Sequence, residues 1–289
     1  MRVDQLTRQP TGSLGLRAYW RLYRVKDWLH FLPLPLAGWL GDSHRGGIGS
    51  LVGGVIAWGL GLAFASAINQ AFDDRLDRPT KNPVVEGFGR RQALALSIPP
   101  MLASLVVLAV WAPLGLLPGV MLVAAATLYS APPRLKRFPV LGTLWNLLVG
   151  VPGFFFAGRP PLDELPLRPL VGLFALLLLG SQLIHEAQDR DDDAGGDVRT
   201  VATVGGRSAA LLAAAALVIA TPVIAWFLTA GLSQRMSISV ACLVFAAAWG
   251  ARLWSRLRCE DSSELKRLRL QFRYSALGLG ALVFAATQA

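Results

Sequence analysis

An all-α, polytopic membrane protein is the fold this sequence predicts, with nine transmembrane helices, a cytoplasmic N-terminus and two acid-bearing halves around a central cavity. Three observations carry the prediction. Of 289 residues, 54% are hydrophobic and only 16% charged, too little polar surface for a soluble chain of this length, and the mean hydropathy is +0.48. Apolar runs recur along the whole chain, separated by short polar stretches. Threading the chain through nine spans from a cytoplasmic N-terminus puts every Lys and Arg on that side except Arg45, Arg159, Arg168 and Arg235, out of 28 in all. That asymmetry is what the positive-inside rule demands, and one missed or invented span would destroy it.

The net charge of +10 and pI near 10.5 therefore report membrane topology. Nucleic acid is excluded as a partner, because the basic residues lie between apolar runs and form no basic domain. Cys242 and Cys259 suit neither a disulfide nor a metal site, and His30, His44 and His185 are too scattered for a zinc pattern. No removable signal peptide is expected.

Taken in order, residues 1–27 form an interfacial segment in which Tyr19, Trp20 and Tyr23 interleave with Arg17, Arg21 and Arg24 at headgroup level. Residues 28–289 form one transmembrane domain. Span one covers Trp28–Leu40, and Pro33 and Pro35 imply a kinked or broken helix. Span two is Ile48–Ile68, span three Ala93–Trp111, and the prolines of 113–118 mark the turn into a short span four, Gly119–Leu128. Spans five to nine fall at Val140–Ala157, Leu170–Ile184, Ala209–Leu228, Ile238–Ala251 and Ala276–Ala289. Several are below the roughly 20 apolar residues of a full span, so their ends must borrow flanking residues.

Two stretches closing apolar spans carry the chemistry. In INQAFDDRLDRPTKNP, Asn69, Asp73 and Asp77 are spaced four apart, one face of a helix, with Lys81 close behind. In HEAQDRDDDAGGDVRT, Glu186, Asp189 and Asp193 are three and then four apart, again on one face. Crowded carboxylates repel unless a cation sits between them, and hard oxygen donors beside free basic residues suit Mg²⁺ carrying a phosphorylated substrate. Both clusters fall on the cytoplasmic side, where soluble diphosphates are, and each is followed by a Gly-rich stretch, as in a weak internal duplication.

With these residues in place, the chain resembles the UbiA superfamily of intramembrane prenyltransferases. The likeness rests on Asn69-x-x-x-Asp73-x-x-x-Asp77, on Glu186-x-x-Asp189-x-x-x-Asp193 followed by Arg199-Thr200, and on LYSAPPRLKR after the fourth span. The resemblance implies nine helices and an enzyme that binds an isoprenyl diphosphate through two Mg²⁺ ions. It ionises that donor and passes the allylic carbocation to an acceptor. By position, Asn69, Asp73 and Asp77 would hold one ion and Asp189 and Asp193 the other, with Glu186 supporting. Lys81, Arg134, Lys136 and Arg137 are candidate diphosphate contacts, although Arg134–Arg137 also reads as an ordinary positive-inside loop. Tyr129 is either a catalytic ring facing the reactive carbon or an interfacial aromatic. Phe154, Phe155, Phe156 and Trp145 either line the tunnel for the apolar tail or simply pack. Asn146, polar at membrane depth, marks a functional interior position or a helix–helix hydrogen bond.

The sequence departs from the family pattern at Lys81-Asn82-Pro83, which lacks an arginine, and at Glu186, where aspartate is usual. The expected function is transfer from a polyprenyl diphosphate to a small aromatic acceptor resembling a quinone precursor, at the cytoplasmic face of a bacterial inner membrane, with no protein partner indicated. The alternatives are a membrane terpene cyclase and phosphoribosyl transfer to polyprenyl phosphate. A transporter is disfavoured, because the charges collect on one side instead of along a path.

Overall fold

Every backbone N–H and C=O that enters lipid must be satisfied within its own segment, so apolar runs of this length become helices. The computed structural model describes residues 16–42, 46–74, 82–158, 167–195 and 198–288, and the described residues contain helices and connections with no strand. Two short helices, α1 (Leu16–Leu22) and α2 (Val25–Trp28), meet at Arg24, which is left-handed at φ 48°. A 3₁₀ turn, Leu29–Phe31, then separates α2 from α3 (Pro33–Leu40), so the proline-rich first span is broken, as its sequence expects.

The long helices follow: α4 (Ile48–Phe72), α5 (Arg90–Trp111), α6 (Leu116–Ser130), α7 (Pro139–Gly150), α8 (Leu167–Ala194), α9 (Val201–Leu228), α10 (Leu232–Ser255) and α11 (Ser262–Gln288). Among the described residues, six stretches are long and apolar enough to cross a membrane: Ile48–Phe72, Arg90–Trp111, Pro113–Ser130, Arg168–Ala194, Val201–Leu228 and Leu232–Ser255. The expected span five is a shorter apolar stretch, Pro139–Phe155, in which α7 gives way to a 3₁₀ turn at Val151–Phe155. The expected span nine is not among the six, because α11 opens on the charged sequence SSELKRLRLQFRYS.

Two sub-bundles result. In one, α4 packs on α5 and α6; in the other, α8 packs on α9 and α11, and α9 on α10. Trp58, Leu62, Leu108, Leu122 and Phe156 form the first core, and a larger core runs through α8–α11 with Phe154, Phe245, Trp249 and Phe272. The 3₁₀ turn that carries Phe154, with Phe156 just after it, therefore joins the halves. Contact there is close: a Cβ on Gly38 of α3 would lie 1.7 Å from the Phe154 carbonyl oxygen, so only glycine fits. Outward-facing Val106, Val110, Ile219, Phe227, Leu243 and Val244 are exposed, the inside-out arrangement expected of a lipid-facing surface.

Side-chain amides hold the N-terminal segment to α4. Gln70 Nε2 donates to the carbonyl of Arg21 at 2.9 Å and to that of Leu22. Asn82, fully buried, donates to the Gln70 carbonyl at 2.8 Å and accepts from the Val84 N–H at 2.9 Å. The position that departs from the family pattern thus closes the connection after the first acid cluster.

Candidate active site

The site is built from the ends of α4 and α8 and the turns that follow α6. Asn69 lies in the last turn of α4, and Asp73 is the residue that caps its C-terminus. The helix stops at Phe72, so the expected face of Asn69, Asp73 and Asp77 continues as helix only as far as Asp73. An apolar run sustains α4 as far as Phe72. Asp77 and Lys81 lie outside the described residues.

The segment after α6 turns back over this helix end. Pro132–Pro133 is a cis peptide and Arg134 is left-handed at φ 56°, which leads into the 3₁₀ turn Leu135–Arg137. Lys136, only 8% exposed, is thereby aimed inward. Its Nζ donates to Asn69 Oδ1 at 2.9 Å and to Asp73 Oδ1, while Arg134 Nη2 donates to the same Asp73 oxygen at 3.1 Å. Asp73 is held by two cations at once. Arg137 is exposed and is not among the cavity-lining residues. Ser130 Oγ adds a 3.2 Å donation to Asn69 Oδ1.

On the other side, α8 remains helical through Ala194, which places Glu186, Asp189 and Asp193 on one face as their spacing predicts. Asp189 accepts from Gln188 Nε2 at 2.7 Å, and its other oxygen lies 3.6 Å from His185 Nδ1. Both oxygens of Glu186 are engaged: Oε1 accepts from the Thr143 hydroxyl at 2.6 Å, and Oε2 from the Val201 N–H at 3.0 Å. Glu186 thus ties α8 to α7 and to the start of α9, where Thr200 forms a capping box with Thr203. Arg199 is exposed.

Asn69, Asp73, Tyr129 and Lys136 from the first half face Glu186, Asp189 and Asp193 from the second across one polar cavity of about 90 Å³. Tyr129 is hydrogen-bonded with Asn146, and the Lys136 ammonium stands 5.8 Å from its ring centroid. Asn146 itself donates to the Gly142 and Thr143 carbonyls. Thr143 and Gln182 also line the cavity and were not anticipated. Gln182 precedes Glu186 by four residues, a helical spacing from which it was legible; Thr143 carries no such signal.

Among the described residues, no three His, Cys, Asp or Glu side chains are grouped closely enough to cage a metal ion by themselves. The donor chemistry nevertheless fits a small hard cation, which is ordinarily held by one or two carboxylates while water and substrate phosphate complete its shell.

A second, apolar cavity of about 260 Å³ lies between α3, α8 and α11. Phe154 lines it, edge-to-face with Phe174 at 5.3 Å between centroids. Phe156 instead packs on Trp58 in the first core, and Trp145 donates its indole N–H to the Ala125 carbonyl at 2.9 Å. Ser181 in the apolar wall and Gln182 in the polar wall are consecutive in α8, so both cavities reach the same turn of that helix.

A sequence profile described as the UbiA prenyltransferase family matches residues 31–277. No curated protein matches the chain significantly. Among solved structures, a UbiA homologue from Archaeoglobus fulgidus bound to DMAPP and Mg²⁺ matches with a TM-score of 0.72 at 21% identity, over 93% of this chain and 99% of that one. Another structure of a UbiA homologue from that organism gives 0.71 at 24% identity, over 94% and 100%. The apo structure of a UbiA homologue from Aeropyrum pernix K1 gives 0.65 at 21% identity, over 91% and 97%. At these identities the likeness is one of fold.

Proposed function

This chain belongs to the UbiA prenyltransferase family, and from that premise we propose that it moves an isoprenyl group from a polyprenyl diphosphate to a small aromatic acceptor, with release of diphosphate. The observation that carries this reading is the convergence of Asp73, with its two cations, and Asp189 and Asp193 on one polar cavity, with an apolar cavity at the same turn of α8.

In this reading Asn69, Asp73 and Asp77 hold one Mg²⁺ and Asp189 and Asp193 another, the ion that accompanies DMAPP in the Archaeoglobus homologue. Bound there, magnesium supplies positive charge to the oxygens on which negative charge develops as the diphosphate leaves. Lys136 and Arg134 grip the phosphate oxygens from the wall that carries Asp73, with Lys81 and Arg137 as further candidates. Glu186 sets the distance between α7, α8 and α9, so that Asp189 and Asp193 are presented at a fixed separation. Tyr129, oriented by Asn146, presents its ring to the allylic carbon and stabilises positive charge there. The isoprenyl tail lies in the apolar cavity, away from water, against Phe154 and Phe174. We take the chain to span the membrane nine times with its N-terminus in the cytoplasm of a bacterial cell, because the distribution of basic residues supports that orientation.

The test is diphosphate release by the purified protein in lipid. Farnesyl or geranylgeranyl diphosphate is supplied with and without Mg²⁺ and a pool of aromatic acceptors, with Asp73→Ala and Asp189→Ala alongside. Release that needs magnesium, both aspartates and an acceptor supports the transferase, and the product names the acceptor. Release without an acceptor, giving a cyclic hydrocarbon or alcohol, replaces it with a cyclase.

A further inference from the structure

The Gly-rich stretch after the second acid cluster has a structural use that the mechanism above leaves out. At Gly206 the backbone leaves the helical region, at φ 86° and ψ 165°, a conformation essentially reserved for glycine. The helix α9 is therefore two helical pieces, and Arg207 opens the second. This arginine is 6% exposed and reaches back to α8. Its Nε donates to the Ala187 carbonyl at 3.1 Å and its Nη2 to Asp191 Oδ2 at 2.7 Å, while Nη1 donates to Glu260 in the connection between α10 and α11. Ser208 Oγ ties the same turn to the Leu257 carbonyl at 2.7 Å.

Ala187 and Asp191 are four apart, so they share a face of α8. Asp189 precedes Asp191 by two residues and Asp193 follows it by two. Each therefore stands about 200° round the helix from Asp191, on the side that lines the polar cavity. Arg207 holds the back of the helix whose front presents the aspartates. A side-chain tip rides about 5 Å from a helix axis, so a rotation of roughly 10° carries a carboxylate about 1 Å. Metal–ligand distances tolerate only about 0.2 Å. Rotation of the end of α8 is thus a motion that a metal site cannot accept. Glu186 ties the front of this helix to α7 and α9, and Arg207 pins its back at two points one turn apart.

We propose that Arg207 is a positioning residue, which from behind α8 sets the rotation at which Asp189 and Asp193 face a divalent cation. It does not line the cavity and acts only through the helix it grips. The proposal rests on the reading of those two aspartates as metal ligands.

The test is a titration of the protein in nanodiscs with Mn²⁺, in which loss of the free-ion EPR signal gives the affinity without turnover. Charge and positioning predict opposite signs for Arg207→Gln. If the arginine acts only through its charge, removing a cation near the acidic wall strengthens Mn²⁺ binding. Loss of the grip should instead weaken it by roughly 10- to 100-fold, the scale of losing a group that orients a metal ligand. Arg207→Lys keeps the charge without the planar fork and should recover part of the loss. Ser208→Ala loosens the same turn from the α10–α11 connection without touching α8, and should leave Mn²⁺ affinity at the wild-type value. Unchanged or tighter binding in Arg207→Gln, or an equal weakening in Ser208→Ala, overturns the proposal. Should the glutamine variant not fold, Arg207→Lys carries the test, because its charge is that of the wild type: weaker binding supports positioning, and wild-type affinity overturns it. Wild-type protein that binds no Mn²⁺ overturns the metal reading of the two aspartates, and this proposal with it.

Discussion

Replacing Glu186 with glutamine separates two roles that one carboxylate can play here. Its oxygens accept from the Thr143 hydroxyl at 2.6 Å and the Val201 N–H at 3.0 Å, so both are occupied by protein. In Glu186→Gln one of these bonds keeps an oxygen acceptor, while the other meets an amide N–H. If that one is the Val201 N–H, two donors then face each other at the start of α9. A hydrogen bond to a charged group contributes about 1.5–3 kcal/mol. The site is buried, so the loss should sit near 2 kcal/mol, or roughly a thirtyfold change in the folded-to-unfolded ratio. The consequence should be mainly structural. Unfolding in nanodiscs should speed up, while the half-saturating magnesium concentration for diphosphate release moves far less than in Asp189→Asn. Thr143→Val removes the hydroxyl and should reproduce part of the stability loss. An unchanged unfolding rate together with a tenfold or larger rise in the magnesium requirement would refute this reasoning and return Glu186 to the metal.

Other consequences can be checked with the same preparation. Lys136→Met should lower turnover by about 100- to 1,000-fold, the cost of losing one well-placed donor to a developing anion, while Arg134 still pairs with Asp73; steady-state kinetics reads this. Gly38→Ala should reduce the yield of folded protein, measured by size-exclusion in mild detergent, because its methyl would overlap the Phe154 carbonyl at a cost of about 1–3 kcal/mol or more. Cys242 is buried and Cys259 partly exposed between α10 and α11, so an impermeant maleimide should label Cys259 alone, and only from the cytoplasmic side. Burial, and a hydrogen bond to Glu264, push the Cys259 thiol above its ordinary range. The thiolate is therefore scarce at neutral pH, and labelling should keep accelerating with pH after an ordinary thiol has levelled off.

Asp189 and Asp193 were legible because helical spacing alone places them together, and α8 continues through both. Asn69 and Asp73 were legible for the same reason. The described helix carries that face as far as Asp73, where α4 ends, and Asp77 lies outside the described residues. Lys136 could be suspected from a basic segment, but its inward aim depends on the left-handed Arg134, a conformation no spacing encodes. The tie from Glu186 to Thr143 and Val201 requires three helices to meet, and such pairings leave no local periodicity. In α11 the alternation of arginine and leucine hid a helix that begins well before the apolar run. Hydropathy sums over all faces, whereas burial selects one.

The contacts through Gln70 and Asn82 involve no formal charge, although they stand beside the most heavily charged part of the molecule. Salt weakens interactions between ions and leaves neutral amide bonds nearly untouched. The surface that carries the acid clusters can therefore meet changes in ionic strength, or the arrival and departure of a polyanion, while the joint between α1, the end of α4 and the turn at Asn82–Val84 keeps its shape. Ligand affinity at this face should depend on salt; the geometry that presents Asp73 to the ligand should not.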